Sequence, residues 1–171
     1  MNGLLEDCYS ILNQGASLLR RIPEEFYMRK HPDCFNSSIG GHIRHNLDHY
    51  WSLLRGYAGG EIDYDARARD TQVETNPSTA ANASDDIAKA LAALTDVDLE
   101  RDVRVKMDTG SYALPEDEWS RSTVRRELQF LLSHTVHHYA LIAVMCKRLG
   151  ITLDKDFGVA PSTLKHNKTK V

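Results

Sequence analysis

His42, His45 and His49 form one short cluster and His134, His137 and His138 another, so six of the chain's eight histidines stand in two groups at helical spacing. Neutral imidazole is a ligand for zinc, nickel, iron and manganese, and two helices of a bundle can build one metal site between them. Three such imidazoles leave a divalent cation its full charge and open positions, the catalytic rather than the structural pattern. Two chemistries follow. A bound water becomes acidic enough to act near neutral pH, or a small thiol is held as thiolate for attack on an electrophile. The first belongs to a hydrolase, the second to a thiol transferase.

Helices must position both clusters. Ser38 is an N-cap for a helix running to about Tyr57 and ending at Gly59-Gly60, and this helix carries the first cluster. Ser120 or Ser122 caps a last long helix that continues through Arg148 and stops at Gly150, with the second cluster at its middle. On that helix Val124, Leu131, Ile142 and Leu149 define an apolar stripe. Taking about 100° per residue, His138 lies about 40° from the stripe, His134 about 80° and His137 about 140°. His134 and His138 therefore face the bundle, stacked one turn apart, and His137 faces away. On the earlier helix the apolar face runs through Ile39, Ile43, Leu47, Tyr50, Leu54 and Tyr57. From its centre His42 lies about 80° away, His49 about 100° and His45 about 140°, so periodicity favours His42 or His49 as the inward ligand.

The remaining elements are read the same way. Leu4, Leu5, Cys8, Ile11, Leu12, Leu18 and Leu19 give a first helix over roughly 3–21, stopping before Pro23. Residues 60–83 read as a long polar loop containing Pro77, and Ser84-Asp85-Asp86 opens a third, alanine-rich helix to about Leu94. Strict alternation from Asp102 to Met107, a turn at Asp108-Thr109-Gly110 and the segment Ser111–Leu114 read as a small hairpin. The tail from Thr152 is polar, with one turn of helix. The fold class is all-α, with a long connection between the second and third helices and a β-hairpin before the fourth.

Composition excludes several alternatives. The chain has 171 residues, 42% hydrophobic and 26% charged, which suits one domain over 1–171. A net charge of −3 gives no basic field for nucleic acid. No stretch approaches a membrane-spanning apolar run and no cationic flank precedes an apolar run at the N-terminus, so a cytoplasmic protein without a membrane role is expected. Cys8, Cys34 and Cys146 show no CxxC spacing and are expected as reduced thiols.

The segment from Ser38-Ile39-Gly40-Gly41-His42 through Ile43-Arg44-His45-Asn46-Leu47-Asp48, with Ser133-His134-Thr135-Val136-His137-His138 and Arg148-Leu149-Gly150, resembles the DinB/YfiT-like superfamily. The resemblance implies an antiparallel four-helix bundle with a long crossover between helices two and three. It also implies a metal held by one histidine of helix two and an HxxxH pair of helix four. Mapped on the Ser-Ile start and the aspartate that follows, the first ligand is His45; mapped on Gly150, the pair is His134 and His138. His42 and His49 remain as supporting or alternative ligands.

Other candidates are less specific. Thr135 follows His134, so the HExxH glutamate of metalloproteases is absent. Asp48 and Glu74 are candidate bases, against the blander reading of solvated carboxylates. Arg67 and Arg69 could clamp an anionic group of a small-molecule substrate, against a merely charged loop. Tyr50, Trp51 and Tyr57 are read as core or homodimer-interface aromatics, and Cys146 as packing. A non-catalytic metal-binding bundle and an interaction module stay as alternative functions.

Overall fold

The computed structural model describes residues 2–66, 68–108, 110 and 119–169. Four long helices make an antiparallel bundle: α1 (Gly3–Leu19), α3 (Ile39–Gly56), α5 (Pro77–Ala92) and α7 (Val124–Arg148). Short helices α2 (Glu24–Met28), α4 (Thr71–Thr75), α6 (Asp96–Leu99) and α8 (Pro161–Lys168) decorate it. α3 packs against α7 and α5, and α1 against α5 and α7. The core between them is aliphatic, closed by the buried tyrosines Tyr27, Tyr50 and Tyr139.

Local chemistry explains where each long helix begins and stops. Ser38 Oγ accepts the Gly41 N–H at 3.0 Å and caps α3. Gly40 sits in its first turn because a Cβ there would run into the Glu74 carbonyl and approach the Tyr27 ring. Gly60, at φ +80°, turns the chain out of the last turn. α7 ends in a Schellman arrangement: Gly150 is at φ +71°, and the Ile151 N–H returns to the Cys146 carbonyl at 2.9 Å.

Two expectations are corrected. The third long helix starts at Pro77 and not at Ser84, because Asn76 Oδ1 accepts the Thr79 N–H at 2.9 Å and Pro77 occupies the first helical position, where its missing N–H costs nothing. The stretch read as loop over 60–83 accordingly contains β1 (Glu61–Asp63), α4 and the start of α5. The last helix is capped by Thr123, not Ser120 or Ser122, since β3 (Ser120–Thr123) occupies those positions. β3 pairs antiparallel with β2 (Asp102–Lys106), Val103 opposite Ser122. The expected second strand over Ser111–Leu114 lies outside the described residues.

One feature of this sheet matters for the site. β1 pairs with β2 in parallel, Glu61 opposite Arg104, so both strands end on the same side. Tyr64 and Asp65 leave β1 next to Met107 and Asp108 leaving β2, and the Tyr64 N–H continues the ladder to the Lys106 carbonyl at 2.9 Å.

Candidate metal centre

α3 and α7 bring His45, His134 and His138 together, with one potential ligand atom from each lying within 4.8 Å of the others. Their ring centroids are 4.5–5.0 Å apart: His134–His138 4.5 Å, His45–His138 4.8 Å and His45–His134 5.0 Å. A cation bound at about 2.0–2.1 Å from each nitrogen in tetrahedral geometry would need them about 3.3 Å apart, a spacing inside that 4.8 Å limit. The donor set is three imidazoles that are partly or wholly out of solvent, which suits a divalent transition metal. Burial foremost, then the neighbouring His134, His45, His42 and His137, pushes His138 down to about 3. It is therefore neutral at ordinary pH with a lone pair to offer.

His42 and His49 flank the trio on opposite sides. His42 Nδ1 lies 2.9 Å from His138 Nδ1, and burial lowers its pKa as well. With Nδ1 engaged, His138 has Nε2 left for an ion, and the contact between the two Nδ1 atoms restrains its ring angle. At the other end His49 Nδ1 donates to the His45 carbonyl, one turn back, at 2.6 Å. Its ring sits 4.5 Å from that of His45 and 4.8 Å from that of His134. His137 is exposed, as its angle on the helix requires.

The open side of the trio is a cavity of about 210 Å³. Phe130, one turn before His134, stacks on that ring at 5.5 Å and 28°. Tyr64 is buried against His49 and Phe130 behind this wall, and its hydroxyl donates to Glu127 Oε2 at 3.0 Å. Ser122 Oγ holds the other carboxylate oxygen of Glu127 at 2.6 Å. Met107, Asp65 and Asp108 complete the far wall.

The other candidate residues lie elsewhere. Asp48 and Glu74 are both bound to Arg44, Nη1–Oδ2 2.9 Å and Nε–Oε2 2.8 Å, so Arg44 pairs within α3 through Asp48 and ties α3 to α4 through Glu74. Arg69 is exposed at φ +51° and does not line the cavity; Arg67 lies outside the described residues. Tyr50 is a core residue whose hydroxyl bonds Thr135 Oγ1 at 3.1 Å. Cys146 is buried, and desolvation pushes its thiol up to about 11. Sequence reasoning passed over Phe130, Met107, Asp65 and Asp108. Phe130 carried a readable signal, since Phe130, His134 and His138 recur at i, i+4 and i+8 along one edge of α7.

A four-helix bundle with a long second crossover and a three-histidine group between its second and fourth long helices defines the class to which this protein belongs. Its sequence matches the family model of the DinB superfamily over residues 13–142, and the chain is a member of that superfamily. A crystal structure of a DinB-like protein, YjoA, from Bacillus subtilis has a similar fold, with a TM-score of 0.65 at 20% identity, covering 90% of this chain and 96% of that one. A segment of 48 residues is 46% identical to FK506-binding protein 5 of Rhizopus delemar, covering 28% of this chain and 12% of that protein's length. No described helix is long and apolar enough to cross a membrane.

Proposed function

We propose that the protein is a metal-dependent enzyme that transfers or hydrolyses a group on a small molecule, with His45, His134 and His138 holding one divalent cation. The observation that carries this reading is the convergence of three imidazoles beside a cavity open to solvent. A structural site would instead be closed by a fourth protein ligand. When bound, such a cation supplies Lewis acidity and open coordination positions, which acidify a water or a small thiol.

The chain's own residues do the rest. His42 orients His138 through its ring nitrogen, and His49, pinned to the His45 carbonyl, packs its ring beside the trio. Phe130, backed by Tyr64, walls the site, excluding water from one side of a bound molecule. Asp48 and Glu74 are both paired with Arg44 and neither lines the cavity, so neither carboxylate is placed to take a proton there.

Elemental analysis after reconstitution with zinc, nickel, iron(II) or manganese should find one cation per chain, and His45→Ala or His134→Ala should lose it. The loaded protein should turn over members of a panel of small thiols with electrophiles and of simple esters and amides. Absence of stoichiometric metal defeats the reading; metal without any turnover leaves a metal-binding bundle and removes the enzyme.

A further inference from the structure

We propose that the cavity selects a substrate with a cationic ammonium group on a short apolar body, held by Asp65 and Asp108 while its other end reaches the histidine trio. The proposal rests on the metal reading for the ligating end alone. Its other supports are the fixed charge and the shape of the far wall.

The two parallel strand ends bring Asp65 and Asp108 together at one rim of the cavity. The Asp108 N–H donates to Asp65 Oδ1 at 3.0 Å and Oδ2 at 2.9 Å, and the Gly110 N–H donates to Asp108 Oδ1 at 2.7 Å. Backbone donors therefore restrain both acids, the half-buried Asp65 and the exposed Asp108. Among the described residues neither carboxylate forms an ion pair, and no lysine or arginine lines the cavity. Two fixed negative charges at one rim repel an anionic group and attract a cation, which relieves their mutual repulsion.

The aromatic wall has the same preference. Phe130 is half-buried and lines the cavity, backed by the buried Tyr64 ring 6.0 Å away, and a ring face attracts an ammonium that comes within about 6 Å. Met107 adds an apolar, polarisable side to the body of the ligand. At about 210 Å³ the cavity falls below the size range of drug-sized ligand sites, so the body is short. The resulting ligand is bipolar: a metal-seeking group at the histidine end, a cation at the aspartate end.

The test uses the full chain loaded with cobalt(II) and three thiols that differ only in their tail: cysteamine, 2-mercaptoethanol and 3-mercaptopropionate. Thiolate-to-cobalt absorbance reports binding at the ligating end. Cysteamine should bind about two- to fivefold more tightly than 2-mercaptoethanol, and 3-mercaptopropionate more weakly than either, the margin that one favourable exposed ion pair supplies. Cysteamine can also chelate through its amine, so the decisive comparison is with Asp65→Asn and Asp108→Asn, each of which keeps a backbone-accepting oxygen. Both variants should shrink the cysteamine preference; a preference unchanged in them, or tightest binding by the carboxylate thiol, overturns the proposal. A second arm tests the cation end without metal, by ligand-observed NMR with butylammonium and butanoate. Butylammonium should bind the parent and not Asp108→Asn, and equal signals from the two ions count against the site. If cobalt fails to bind, the metal reading falls while this arm still decides the cation subsite; if cobalt binds and the tails make no difference, the reverse holds.

Discussion

Replacing His42 with alanine separates a positioning histidine from a ligand. In the folded protein His42 is 7% exposed and its Nδ1 meets His138 Nδ1 at 2.9 Å. Removing it leaves His138 Nδ1 buried without its partner, a cost of about 1–3 kcal/mol, and frees the ring to turn away from the trio. Outer hydrogen bonds to metal-binding histidines contribute about 10–100-fold in affinity, or about 1.4–2.8 kcal/mol, which matches that range. Zinc affinity measured by competition with a chromophoric chelator should therefore fall by one to two decades in His42→Ala. His138→Ala should fall much further, having lost a ligand. His42→Asn places an amide near the Nδ1 position and should recover most of the loss. Urea unfolding of the metal-free variants gives the cost to the fold, so that affinity and stability are read independently. Unchanged affinity in His42→Ala would show that the ring merely packs, and a loss equal to that of His138→Ala would make His42 a ligand in its own right.

Acid should destabilise the metal-free protein through His138. Its pKa is lowered from 6.5 to about 3 in the folded state, so between those values the unfolded chain binds more protons and stability rises with pH. Stability should be full above about pH 6.5 and decline as pH falls toward about 3, and His138→Leu should flatten that part of a pH series of urea midpoints; parallel profiles would contradict the burial argument. Gly40→Ala should cost about 1–3 kcal/mol by forcing a methyl against the Glu74 carbonyl, despite alanine's advantage of about 1 kcal/mol in helices. Gly59→Ala, with nothing within 4 Å of the new methyl, should stay within about 0.5 kcal/mol of the parent, and equal shifts in the two urea midpoints would refute the close-approach account.

Elements with strong periodicity and unambiguous caps were legible in the sequence. Ser38 and Gly150 mark the ends of α3 and α7 closely because each acts through a local bond that depends on a few neighbours. Pro77 was misread because a proline in a polar stretch signals either a break or a first helical residue, and the difference lies in whether Asn76 turns its side chain back to cap. The parallel pairing of β1 with β2 was not readable at all: Glu61–Asp63 is too short to show alternation, and its partner lies beyond three intervening helices. The far wall of the cavity depends on that pairing, which is why Asp65 and Asp108 stayed hidden while the histidines did not.

The histidines themselves show what periodicity measures. Of the three on α3, the angular argument favoured His42 and His49, and these are the more buried, at 7% and 4%, whereas His45 is only half-buried. The trio that converges nonetheless contains His45, the residue to which the family resemblance pointed. An apolar stripe locates side chains held out of water, and a metal site that must admit a substrate cannot lie at the centre of one. It belongs at the stripe's edge, where His45 meets His134 beside the cavity and the two deeper histidines brace the arrangement from behind and beside it. Burial ranking among clustered histidines therefore picks out the bracing residues first, and the ligands are the ones whose angular position overlooks the opening between two helices.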